Sequence, residues 1–132
     1  MRYLLDANAV IAILKDPDGP VARRLQMHDP GEVGLSAIAS HELYYGAYRS
    51  QRREHNLTLV DALRFEVVDF DLDDGRCAGE VRAALAARGT PIGPYDVLIA
   101  GQARARDLIL VTANLDEFQG VEGLVLEDWS GG

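Results

Sequence analysis

Asp6, Glu42, Asp96 and the Asp116–Glu117 pair are scattered along the whole chain, yet each sits beside an apolar segment able to carry it to an edge of a folded domain. Asp6 closes the apolar run at 3–5. An aspartate there also suits the N-cap of a following helix. Glu42 lies inside a helical arc formed by Ile38, Ala39, Leu43, Gly46 and Ala47. A carboxylate on such a face is costly unless it is paired, bound to metal or able to reach water at the helix edge. Asp96 stands in the first turn of a helix opened by Gly93 and Pro94, and heads a stripe continued by Ile99, Ala100 and Ala103. A helix N-terminus favours a negative charge in its own right. The segment 112–118 adds Thr112 and Asn114 as hydrogen-bonding side chains, and Asp116 or Glu117 as a fourth acid; taken alone it reads as an exposed polar loop.

Carboxylates that converge cannot all stay ionised without a cation. Oxygen-only donors select a hard ion, Mg²⁺ or Mn²⁺. Cys77 is the only cysteine, so neither an internal disulfide nor a cysteine-ligated metal site is possible. His28, His41 and His55 lack zinc-type spacing. On a helix His41 points about 100° away from Glu42. All three histidines read as surface or packing residues.

The elements that must position these acids alternate. Apolar strands are expected at 3–5, 33–35, 65–70, 108–111 and 124–126, and helices at about 8–15, 20–28, 37–50, 54–64, 72–88 and 94–107. Asp16–Gly19, Asp29–Gly31, Gly89 and Pro91–Pro94 punctuate them, and Ser36 can cap the helix that follows it. Strands separated by helices predict an α/β fold with a central, mostly parallel five-stranded sheet flanked by helices. Its ligands should sit beyond the carboxyl ends of the strands, where the strand order reverses. Asp6 and the 112–117 segment follow strands expected to be neighbours at that point.

No repeat or linker interrupts the chain, which predicts a single domain over 1–132. The run after Met1 is too short for a signal peptide or a membrane span, so a cytoplasmic protein with no membrane partner is expected. With 48% hydrophobic and 26% charged residues the composition is that of an ordinary globular protein. The net charge of −8 argues against nucleic-acid binding through a uniformly basic surface. The basic residues, however, are all arginine apart from Lys15, and arginine grips phosphate in a forked geometry.

Four ordered motifs make a resemblance specific. Leu4–Asn8 (LLDAN) resembles the opening motif of PIN-domain proteins, with Ala7 where that family usually has threonine. Ser36–Gly46 (SAIASHELYYG), Gly93–Ala100 (GPYDVLIA) and Val111–Phe118 (VTANLDEF) resemble the second, third and fourth motifs. The ending Gly123–Trp129 (GLVLEDW) resembles that of VapC toxins. The similarity runs over about 3–129. It implies a Mg²⁺-dependent endoribonuclease, Mn²⁺ substituting, that is inhibited by a cognate antitoxin and is usually a homodimer. It assigns Asp6 and Asp96 as metal ligands, with Glu42 and Glu117 holding metal-bound waters or a second ion. Alignment on Phe118 favours Glu117 over Asp116 as the fourth acid. Asn8, Ser36, Thr112, Asn114 and Asp116 are supporting candidates. The implied chemistry is metal-assisted hydrolysis that leaves 5′-phosphate and 3′-hydroxyl ends. The substrate would be a structured RNA loop, in transfer or ribosomal RNA, whose bases are splayed. Candidate RNA grips are Arg49, Arg52 and Arg53, then Arg23, Arg24, Arg104 and Arg106.

Three other readings are weaker. A haloacid-dehalogenase-type phosphatase needs an aspartate where Asn8 stands and a lysine late in the chain, whereas none follows Lys15. A phosphorylated receiver domain fails on the same lysine. A degenerate PIN module that only binds RNA or protein is disfavoured by the full set of acids.

Overall fold

The two leucines of the first apolar run, Leu4 and Leu5, have no solvent exposure, because their strand lies in the middle of the sheet. The computed structural model describes residues 1–131. The strands are β1 (Tyr3–Leu5), β2 (Val33–Ser36), β3 (Glu66–Val68), β4 (Ile109–Val111) and β5 (Leu126–Glu127). The helices are α1 (Ala7–Lys15), α2 (Pro20–Gln26), α3 (Ala37–Arg49), α4 (Arg53–Asp61), α5 (Leu72–Ala87), α6 (Pro94–Ala105) and α7 (Leu115–Phe118), with a 3-10 turn at Pro30–Glu32. The sheet order is β3-β2-β1-β4-β5 and every pairing is parallel, so the expected mostly parallel sheet is wholly so.

The order reverses at β1, which pairs with β2 on one side and β4 on the other. Leu5 lies opposite Leu35 and Val111. Asp6, Ser36 and Thr112 therefore leave the sheet at one edge, the crevice where ligands of such folds bind. The Asp6 amide donates to the Val111 carbonyl at 3.3 Å, which ties the two chain segments together there.

Central strands read well as apolar runs, and edge strands did not. The expected strand at 65–70 shrinks to Glu66–Val68, with Glu66 and Val67 exposed. The expected strand at 124–126 shifts to Leu126–Glu127. Gly123 turns at φ +80 just before it, and Val125 is exposed. Helices end one to three residues earlier than expected, at Gln26, Arg49, Asp61, Ala87 and Ala105. The segment after β4 is not a plain loop, for Leu115–Phe118 form a helical turn that buries Phe118.

α5 and α6 pack in close contact. A Cβ on Gly101 would stand 2.4 Å from the Ala78 Cα, so only glycine lets the two backbones meet. Behind the sheet Trp129 packs against Tyr3 and stacks on His28, both at 5.3 Å. Its indole donates to Glu127 at 2.9 Å. Among the described residues no helix is long and apolar enough to cross a membrane.

Candidate active site

Asp6 is 6% exposed. It does cap α1, its Oδ1 accepting from the Ala9 amide at 2.8 Å. The cap uses one oxygen. Burial nonetheless pushes its pKa upward, against the lowering effect of the Ala9 amide and the Thr112 hydroxyl. An acid placed only to cap a helix would gain nothing from being sealed in the crevice.

Glu42, on α3, is half-buried. Its pKa is raised by burial and by the charge of Asp6, while nearby His41 pulls the other way. Asp96, in the first turn of α6, is pushed up to about 7, first by burial, then by a hydrogen bond and charge from Glu117, then by Glu42 and Asp6. Glu117 moves down instead, held by the Gly93 amide and by Asp96. The two carboxyls titrate as a coupled pair, Asp96 pushed up by burial and by Glu117, and Glu117 held down by the Gly93 amide. The structure thus brings Asp6, Glu42, Asp96 and Glu117 into one electrostatic cluster.

A hydrogen-bonded chain orients this cluster. Thr112, 1% exposed, donates to Asp6 and accepts from the Asn114 amide at 3.0 Å. The Asn114 side chain donates to Glu117 Oε2 at 3.0 Å, and Glu117 Oε1 accepts from the Gly93 amide, also at 3.0 Å. Thr112 and Asn114, the supporting candidates of this segment, are thus linked by hydrogen bonds to Asp6 and Glu117. Ser36 is buried and caps α3 through the Ile38 amide at 3.1 Å. Asn8 is exposed and takes no part in this chain of bonds. Asp116 is exposed and makes none of these hydrogen bonds. The geometry groups Glu117, not Asp116, with Asp96.

Gly93, expected only to open a helix, also lies against the acids. A Cβ there would come within 3.1 Å of Asp96 Oδ2 and 3.6 Å of Glu117 Oε1. The available signal was the Gly93–Pro94 step itself, since a glycine N-cap carries no side chain and leaves its amide free to face another group.

The arginines divide. Arg49, Arg52 and Arg53 are exposed around the end of α3. Arg49 lies over the Tyr45 ring at 5.6 Å, and Arg53 donates to the Tyr48 carbonyl. The second group is committed within the chain. Arg23 bonds the Asp18 carbonyl, Arg24 bonds Glu127 at 2.7 Å, Arg104 bonds Glu80 and Cys77, and Arg106 clamps buried Asp74.

The cluster presents carboxylate oxygens and neither nitrogen nor sulfur, the donor chemistry of a hard divalent ion. Among the described residues no three His, Cys, Asp or Glu side chains are drawn together closely enough to hold an ion unaided. Mg²⁺ does not require that, because it keeps several waters and takes one or two carboxylates. Asp96 is raised first by burial and then by the neighbouring charges of Glu117, Glu42 and Asp6, charges that a divalent cation would offset. The donor set fits.

Comparison with known proteins finds relatives over nearly the whole chain. The family model described as PIN domain matches residues 3–124. The tRNA(fMet)-specific endonuclease VapC of Shigella flexneri is 40% identical over 98% of this chain and 99% of its own. The structure of DNA-bound VapBC from Salmonella typhimurium superposes with a TM-score of 0.92 at 39% identity, covering 98% of both chains. VapBC2 from Rickettsia felis, bound to a fragment of its promoter, gives 0.91 at 32% identity, over 98% of this chain and 99% of that one.

Proposed function

The chain belongs to the PIN-domain family and, within it, to the VapC ribonucleases, and from that premise we propose that it is the toxin of a toxin–antitoxin pair, a Mg²⁺-dependent endoribonuclease acting on a loop of transfer RNA. The observation that carries the reading is the convergence of Asp6, Glu42, Asp96 and Glu117 at the β1–β4 reversal. The 40% identity to an endonuclease named for initiator tRNA favours transfer over ribosomal RNA.

Asp6 and Asp96 would hold the ion, and Glu42 and Glu117 its waters or a second ion. When bound, such an ion polarises the scissile phosphate and supplies a water that is acidic enough to attack near neutral pH. The chain's own part is positional. Thr112 hydrogen-bonds Asp6, and Gly93 and Asn114 hold both oxygens of Glu117. Arg49, Arg52 and Arg53 would hold the RNA backbone.

A groove of about 490 Å³ opens beside Glu42, lined by Ile11, Leu14, Leu43, Leu59 and Val60 with Lys15 and Arg52 at its rim. An antitoxin segment with an apolar face would fill it and reach an arginine to the acids, displacing the metal by charge mimicry. The protein would work as a homodimer in the cytoplasm.

The test is to express the chain in cells and sequence RNA ends. New 5′-phosphate ends confined to a tRNA loop, with growth arrest, are expected from the wild type and absent with Asp6→Asn. Ends spread over all RNAs, or unchanged by Asp6→Asn, would overturn the proposal.

A further inference from the structure

Aromatic rings in this chain are not exposed at random. Among the described residues every exposed Phe, Tyr or Trp is Tyr45, Tyr48 or Tyr95. Tyr45 and Tyr48 are on α3, which carries Glu42, and Tyr95 is the residue before Asp96 on α6. Tyr45 is 60% exposed and Tyr95 47%. A third ring joins them. His41 is exposed beside Glu42 and meets Tyr95 across the two helices at 5.1 Å, the planes inclined at 54°. His41 and Tyr45 are one helical turn apart and so share a face of α3. Arg49, a further turn along, lies over the Tyr45 ring at 5.6 Å. From the acids outward the surface therefore runs from the His41–Tyr95 pair to Tyr45 and then Arg49, toward Arg52 and Arg53.

Single exposed rings need no explanation. Rings interleaved with arginine and leading away from acids where a phosphodiester must lie form a stacking track, the arrangement that holds unpaired bases and their phosphates. A buried protein contact would be served as well by leucine, whereas Tyr and His offer flat faces with a wet edge. We propose that His41, Tyr95 and Tyr45 stack the unpaired RNA bases that flank the scissile phosphate, with Arg49 gripping the phosphate between them. The proposal rests on the ribonuclease reading above.

The experiment compares two labelled RNA dodecamers, one normal and one abasic over its central positions, by anisotropy in EDTA, with steady-state cleavage of the normal RNA in Mg²⁺. Wild type should bind the normal RNA more tightly. Tyr45→Leu with Tyr95→Leu should weaken that binding roughly five- to hundredfold and raise KM with little change in kcat. Tyr45→Phe with Tyr95→Phe should retain both. The slope of log affinity against log salt should stay unchanged, since the rings release no counterions. No preference of wild type for normal over abasic RNA would overturn the proposal, as would unchanged binding by the leucine pair. A leucine pair that changes the sedimenting mass would assign the rings to a protein interface and overturn it too. Loss of binding in a chain that never cleaves RNA would keep the track and overturn the nuclease reading; normal cleavage with unchanged binding would do the reverse.

Discussion

Glu117 Oε1 accepts from the Gly93 amide at 3.0 Å, and the same glycine lies against the Asp96 carboxyl. Burial and the neighbouring Glu117 push the pKa of Asp96 up to about 7, while the Gly93 amide holds that of Glu117 down. This gives metal-free stability a definite pH dependence. An acid whose folded pKa lies above its unfolded value stabilises the fold at low pH, and that contribution is lost as pH rises from the unfolded value toward the folded one. For Asp96 the window runs from 3.8 to about 7. Glu117 acts oppositely, but below its ordinary 4.5, so Asp96 governs the range above that. In EDTA the Tm should fall as pH rises from 5 to 8. Excess Mg²⁺ and Asp96→Asn should each flatten the fall. An equally steep fall in Asp96→Asn would remove Asp96 from this role.

Gly93→Ala should separate the site from the fold. The new methyl would stand 3.1 Å from Asp96 Oδ2, while φ of −54 suits alanine. Cleavage should drop roughly ten- to hundredfold, because small displacements of positioned groups weigh heavily on rate. The Tm should move little. Full activity would show that Asp96 gives way freely.

Gly101→Ala should do the reverse. Its Cβ would meet the Ala78 backbone at 2.4 Å, and no rotamer relieves that. Overpacking of this kind costs about 1–3 kcal/mol or more. Thermal melting should show a drop of several degrees, while the folded fraction keeps its activity.

The sequence carried Asp6 and Asp96 because local rules place them, one at the end of a buried strand and one in the first turn after a glycine–proline step. On the residues alone it left Asp116 and Glu117 open and only the resemblance favoured Glu117, since what sets Glu117 apart in the structure is a bond to Gly93, 24 residues away. It overextended β3 because an edge strand is paired on one side only and ends where pairing ends. It offered Arg24, Arg104 and Arg106 as RNA grips because nothing local marks an arginine whose partner lies far along the chain, as Glu127 does for Arg24. His41 read as a surface or packing residue, and only the approach of α3 to α6 pairs it with Tyr95.

Leu59→Asp, in the groove beside Glu42, should uncouple inhibition from catalysis. Leu59 is partly exposed and lines the groove without belonging to the acid cluster. Cleavage should persist, and the cognate antitoxin should lose at least tenfold in affinity, as truncated or charged anchors in apolar pockets do. Undiminished neutralisation would place the antitoxin elsewhere.

The most direct measurement is cleavage of a tRNA transcript by purified wild type and by the Asp6→Asn, Asp96→Asn double variant, each in EDTA and in Mg²⁺, with melting recorded alongside. The expected result is a single cut with a 5′-phosphate end from wild type in Mg²⁺ alone, and none from a double variant that still melts cooperatively. Cleavage by the folded double variant, or undiminished cleavage by wild type in EDTA, would contradict a metal-dependent site built on these acids.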